Sequence, residues 1–147
     1  MATSSTTYLT NPTVNITPAT GGTVFDATSV TSSAAITVGY DALESTSFGD
    51  NGHLFVKGLQ NVEVTLTCYA SYGASSVEAA FNSALGTGTT TIVISPAGTS
   101  ESASNPEYTI ANCFLASYQP INGNYGELSM LEVTFQGGTF ARDITPP

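Results

Sequence analysis

The chain's only histidine, His53, and its only lysine, Lys57, lie in one short run, DALESTSFGDNGHLFVKGL, at residues 41–59. The same run holds the acids Asp41, Glu44 and Asp50 and two turn-favouring glycines, Gly49 and Gly52. A histidine among carboxylates invites a general-base reading. No partner motif surrounds it: there is no G-x-S-x-G elbow, no H-E-x-x-H pair and no G-x-x-x-x-G-K phosphate loop. The expectation is a solvated loop histidine. Glu127 and Glu132 are a second candidate pair, but on a strand their odd spacing sends them to opposite faces, which argues against a glycosidase-like site. An anionic substrate would call for arginine, and Arg142 is the only one. Cys68 and Cys113 have no C-x-x-C spacing, so no metal or cofactor site is expected. They read as small buried hydrophobes in a protein made in a reducing cytoplasm. Nothing in these residues supports an enzyme.

The elements that must position these residues belong to a single domain: 147 residues, 41% hydrophobic, suit one core. Only 9% of residues are charged, against about a quarter in a typical soluble domain. Thr, Ser, Gly and Asn fill the polar positions, a surface suited to packing against other chains. Eleven acids against Lys57 and Arg142 give a net charge of −9. Gripping nucleic acid takes several basic groups to neutralise phosphates, and anionic membranes demand the same, so both partners are excluded. The first residues lack the basic start and apolar core of a secretory signal, and no apolar run approaches a membrane helix. The Asn15-Ile-Thr triplet would matter as a glycosylation site only after secretion.

Residues 1–23, rich in Thr, Ser, Asn and Pro and ending in Gly21-Gly22, read as an extended N-terminal arm, with a single β domain over 24–147. Strands are expected near Val24–Ala27 and over Ala34–Ala42, where Ile36, Val38 and Tyr40 share a face. Across NVEVTLTCYA (61–70), Val62, Val64, Leu66 and Cys68 alternate with Glu63, Thr65, Thr67 and Tyr69, so one face is dry and one wet. SSVEAAFNSALG (75–86) predicts a helix: Ser75 and Glu78 form a capping box, Val77, Ala80, Phe81, Ala84 and Leu85 make one stripe, and Gly86 stops it. Further strands are expected at 89–95, 107–118 and 128–135, with a loop at 97–106, a turn at QPINGNYGE and a short edge at TFARD. Leu131, Val133 and Phe135 share one face, which turns Glu132 away from the core as Glu63 is turned away. The fold class is mainly β: two packed sheets, sandwich or barrel, with one flanking α-helix.

Three blocks in order, DALESTSFGDNGHLFVKGLQNVEVTLTCYA, NPEYTIANCFLASYQPINGNYGELSMLEVTF and GGTFARD, resemble the tail tube (major tail) proteins of long-tailed bacteriophages. The points of match are Gly58-Leu59, Asn105-Pro106-Glu107-Tyr108, Pro120 to Gly123, Gly126-Glu127 and Arg142, across roughly residues 24–145. The resemblance implies six copies in a ring, with inner sheets joined into one β-barrel. Rings would stack into a tube that conducts double-stranded DNA without binding it. The implied partners are further copies of the chain, a tape-measure protein, and tail terminator and distal tail proteins. The place would be the virion tail, assembled in the host cytoplasm. Glu63 and Glu132 would line the lumen. The 41–59 run would be a docking loop to a neighbour in the stack, with Phe48, Leu54 and Phe55 as apolar anchors and Asp50 and Lys57 as its charged members. A monomeric β-sandwich adhesin or carbohydrate-binding module, using Tyr69, Tyr72 and Tyr118 in place of the missing Trp, and a capsid decoration protein remain alternatives.

Overall fold

A computed structural model describes residues 9, 11–98 and 100–146. Its elements run β1 (Thr13–Thr17), β2 (Phe25–Asp26), β3 (Thr31–Glu44), β4 (Phe55–Tyr69), α1 (Val77–Ala84), β5 (Thr90–Ser95), β6 (Glu107–Asn122), β7 (Met130–Gln136) and β8 (Thr139–Asp143). All strand pairs between these elements are antiparallel. They form one hydrogen-bonded path, β2-β1-β5-β6-β7-β4-β3, with β8 also on β6.

The path folds into two layers at β6. Its first half, Glu107–Ala111, pairs with β8 and, from Tyr108 to Cys113 across a bulge, the strand pairs with β5; from Phe114 onward it pairs with β7. The first layer is therefore β2-β1-β5-β6-β8 and the second is β6-β7-β4-β3. Val14, Ile16, Ile92, Ile94 and Ile110 of the first layer join Val62, Val64, Leu66, Cys68, Leu131, Val133 and Phe135 of the second in one buried cluster. The alternation of β4 and β7 falls as the sequence predicts, with all seven of those second-layer side chains at 0% exposure. The mainly β class with one flanking helix holds.

Helix α1 closes this core beside β6. Val77, Phe81 and Ala84 are buried, and the Phe81 ring meets Tyr118 and Phe135 at centroid distances of 6.2 and 6.3 Å. The cap differs from expectation by one residue. Ser76, not Ser75, accepts the Ala79 N–H through its Oγ at 3.3 Å. The reason lies upstream: Ser71 Oγ accepts the Val77 N–H and Ser71 O the Glu78 N–H, so the first free donors are satisfied without a Glu78 capping box. Leu85, expected in the stripe, is the exposed C-cap, and Gly86 follows in the left-handed conformation.

Three further expectations are corrected. The N-terminal arm does not stand apart up to residue 23: β1 pairs with β5 from Thr13 to Thr17 and buries Val14 and Ile16, a two-residue alternation hidden among Thr, Asn and Pro. Residues 1–8 and 10 lie outside the described residues. The 41–59 run is not one long irregular loop: β3 and β4 extend into it and leave only residues 45–54 as a tip. The QPINGNYGE turn begins late, because β6 continues through Pro120 to Asn122, where its outer edge has no ladder partner to need the missing N–H.

Two measurements probe this packing. In chemical denaturation, Phe81→Ala should cost about 3–5 kcal/mol and Ser76→Ala about 1 kcal/mol, while the exposed Ser75 tolerates alanine. Asn112 sits in β6 with φ 60°, so Asn112→Val should cost about 1–2 kcal/mol and Asn112→Gly almost nothing; equal midpoints for the two variants would contradict the left-handed assignment.

Candidate functional site

Two surfaces stand out. The first is the outer face of the second layer, opposite the core. Cross-strand register places Thr37, Glu63 and Gln136 in one row, Ala35, Thr65 and Thr134 in the next, and Ser33, Thr67 and Glu132 in a third, which Gln119 of β6 extends. Glu63 and Glu132, predicted to turn from the core, both do so and are exposed. Gln136 Nε2 donates to Glu63 Oε2 at 3.2 Å. The rest of these rows is hydroxyl, amide or alanine, except that Phe114 of β6, exposed, extends the first row beside Gln136. Neither cation lies there: Arg142 is on β8 of the first layer, and the Lys57 Nζ rests 4.6 Å from the Tyr40 ring centroid, on the other side of the sheet.

The second surface is the β3–β4 hairpin. β7 covers β4 only from Glu63 to Tyr69, whereas β3 pairs with β4 out to Glu44↔Phe55. The distal part is a two-stranded arm, set off by a bulge between Tyr40 and Ala42. Gly58 sits at that bulge, where an added Cβ would stand 2.9 Å from the Asp41 Cβ, so the strands approach too closely for any larger residue. At the tip, Ser47 donates its N–H and Oγ–H to Asp50 Oδ2 at 2.6 and 2.9 Å, which holds the Asp50 carboxyl below its ordinary range. Glu44 Oε1 meets His53 Nδ1 at 2.7 Å and accepts from Thr46 Oγ1 at 2.9 Å; His53 first and Thr46 second lower its pKa. These bonds fix the turn and consume its polar groups. Phe48 (114% exposed), Leu54 and Phe55 are left facing solvent.

The predicted docking residues therefore share one arm with different roles. Phe48, Leu54 and Phe55 are outward. Asp50 caps the tip, and Lys57 packs on Tyr40, with no carboxylate partner among the described residues. His53 is 77% exposed on its side chain, hydrogen-bonds Glu44 and lies 6.4 Å from the Phe55 ring, with no nucleophile bonded to it, so it is a tip-bracing residue. Sequence reasoning missed Leu43, Val56 and Leu59 on the arm, and Ile121, Tyr125 and Leu128 at the opposite end of the sheet; all six are exposed. Their signal was an apolar side chain out of phase with the alternation. Cys68 and Cys113 are free and buried. Burial raises both thiol pKa values, that of Cys113 to about 11. Among the described residues no cluster of His, Cys, Asp and Glu could hold a metal.

No protein-family model and no curated protein matches the chain by sequence. Solved structures match it by shape. The SPP1 tail tube superposes with a TM-score of 0.70 at 11% identity, over 92% of this chain and 77% of that one. The sheath/tube terminator of an extracellular contractile injection system, PVC, gives 0.69 at 15%, over 97% and 99%. The tail of an empty gene transfer agent particle, refined with C6 symmetry, gives 0.67 at 12%, over 95% and 99%. The expected resemblance thus holds in three dimensions: this chain has the fold of tail tube proteins.

Proposed function

We propose that the chain is a structural subunit of a virion tail tube in a long-tailed phage: six copies close a ring, rings stack, and the bore passes double-stranded DNA. The observation that carries the reading is the outer face of the β6-β7-β4-β3 layer. It is exposed, largely polar apart from Phe114 and Tyr69, and free of cations, and it is bounded by two open edges, β3 on one side and the end of β6 on the other. Two different edges of one sheet pair head to tail, and such a contact closes into a ring when the rotation permits. The sixfold symmetry named for two of the similar assemblies supports six copies. Glu63 and Glu132 would then repeat around the bore and repel phosphate. With a net charge of −9 per subunit, such a conduit does not retain its cargo. A tape-measure protein would fill the bore during assembly, and terminator and distal tail proteins would close the ends.

The full-length match to a tube terminator favours a second reading, a capping ring of the same fold. Electron microscopy of the purified chain separates the two: tubes of indefinite length for the subunit, single rings for the cap. A species that stays monomeric by light scattering across salt and concentration overturns both.

The hairpin would join one ring to the next. Phe55→Ala should raise the concentration needed for stacking roughly thirtyfold, as loss of a central aromatic anchor costs about 2 kcal/mol. Lys57→Glu should also block stacking, and neither change should shift the unfolding midpoint of the monomer beyond about 0.5 kcal/mol. Glu63→Lys combined with Glu132→Lys should leave the tube intact and make it hold DNA at low salt, with release as salt rises; tubes that form and hold no more DNA than wild type would place these residues outside the bore.

A further inference from the structure

Two of the chain's nine asparagines, Asn51 and Asn122, stand directly before a glycine. An asparagine loses its side-chain amide when the backbone nitrogen of the next residue attacks its Cγ. Glycine favours this reaction, because it has no Cβ to shield the nitrogen and its backbone bends to the required angle at little cost. The fold places the two pairs in opposite settings. The geometry points to Asn51 as a site of spontaneous deamidation in the unassembled subunit, with Asn122 protected. The chemistry needs only water and no assembled tube.

Asn51 and Gly52 are both exposed and lie at the bend of the β3–β4 tip, outside either strand. The tip is braced before them by Ser47 on Asp50, and after them by Glu44 on His53 and by Thr46 on the Leu54 N–H. The pair itself is left out: among the described residues neither the Asn51 amide nor the Gly52 N–H has a hydrogen-bond partner. A Cβ built on Gly52 would meet nothing within 4 Å, so its surroundings are open to water and to rearrangement. Asn122 is held instead. It ends β6 opposite Met130 of β7, and its Nδ2 donates to Gln119 Oε1 at 3.3 Å. A Cβ on Gly123 would stand 3.2 Å from the Ser129 Cα, so the returning chain closes on that glycine. Ring closure at Asn122 would turn its backbone out of the extended range and break the strand register.

The reaction balances with water alone. The Gly52 nitrogen gives its proton to hydroxide and forms a bond to Asn51 Cγ. The Cγ–Nδ2 bond breaks, the nitrogen leaves as ammonia, and a succinimide ring remains. Water then opens the ring at one of its two carbonyls. Cleavage of the new Cγ–N bond leaves an aspartate at position 51 on the ordinary main chain. Cleavage at the backbone carbonyl leaves an isoaspartate, with the main chain rerouted through the side-chain carbons. Either product adds a negative charge to a chain already at −9, at a tip that holds Asp50 and Glu44. The isoaspartate also lengthens the main chain by one methylene between the Ser47–Asp50 and Glu44–His53 braces.

Peptide mapping by mass spectrometry tests this on the full chain, kept dilute and folded in mildly alkaline buffer, sampled over time and digested in acid. The peptide carrying residue 51 should accumulate both the aspartyl and the isoaspartyl form, faster as the pH is raised. Asn122 must give up a side-chain bond and its strand pairing to react, and Asn51 gives up neither, so position 51 should change at least about tenfold faster. In concentrated urea the two positions should react at similar rates. Gly52→Ala, which the open surroundings admit, should remove the acid from position 51 over the same period and leave the unfolding midpoint unchanged. A folded chain in which Asn122 keeps pace with Asn51 overturns the assignment. So does one in which Asn51 stays intact while the chain in urea is modified there.

Discussion

A strand that serves two sheets must change partners without changing which of its sides faces the core. β6 meets that constraint at Asn112, whose φ of 60° is the only left-handed value outside glycine among the described residues. Ile110 is buried in the first layer; after the extra residue at the bulge, Cys113, still opposite Thr90 of β5, and Leu115, opposite Phe135 of β7, are both buried. Strict alternation from Ile110 would have turned Asn112 and Phe114 inward and exposed Cys113 and Leu115. A second shift after Leu115 returns Tyr118 to the inner side, where it meets Phe81. Asparagine tolerates this backbone better than any branched residue, since its short polar side chain adds little steric penalty. Both layers, the single core and the seat of the helix follow from that one strand being bent in place.

The legible parts of the sequence are those where one periodicity runs undisturbed. Val62 to Cys68 and Leu131 to Phe135 alternate without a bulge, and all of them are buried as read. The orientation of Glu63 and Glu132 followed from the same pattern. β6 shows the limit: two bulges reset the phase, so its composition announces a strand while its faces stay hidden. β3 fails differently. Its period is correct, but Val38 and Tyr40 lie on the core side at a point the opposing layer does not reach, and they are 38% and 50% exposed. Periodicity reports a face; only the partner layer decides burial. β1 escaped notice because one Val-x-Ile pair is too short a signal against a Thr- and Pro-rich background. The apolar arm was noticed as a segment, but its hairpin pairing depends on the glycine at position 58, whose use is visible only once Asp41 is seen against it.

The low charge of the sequence takes on a spatial meaning in this fold. Two cations are too few to shape a field by themselves, yet both are kept off the polar face of the second layer. Lys57 is held over Tyr40 by cation–π attraction, and Arg142 is across the molecule on β8. Threonine and serine give that face hydration with little field, so its sparse carboxylates, Glu63, Glu132 and Asp41 beside Glu63, set its sign. A face with interspersed lysines would be as soluble and would attract phosphate. Hydroxyls with sparse acids give solubility without that attraction, which is the property a passage for a polyanion needs.

The bulge between Tyr40 and Ala42 divides β3 into two regions with different tasks. Before it, Thr31–Tyr40 is an open edge beside a well-packed sheet, with neither lysine nor proline along it. Those are the residues that commonly discourage edge-to-edge pairing, and their absence leaves a row of free backbone groups available to another strand. After it, Ala42–Glu44 belongs to an arm that leaves the sheet altogether and carries apolar side chains outward. In the proposed tube the first region is lateral and the second axial. An edge contact supplies directional hydrogen bonds, which set the angle between neighbours in a ring. An apolar prong supplies non-directional burial, which tolerates small changes in angle between rings. A bulge between the two isolates the stiff contact from the compliant one, so a tube built on this strand could bend between rings without opening the rings themselves.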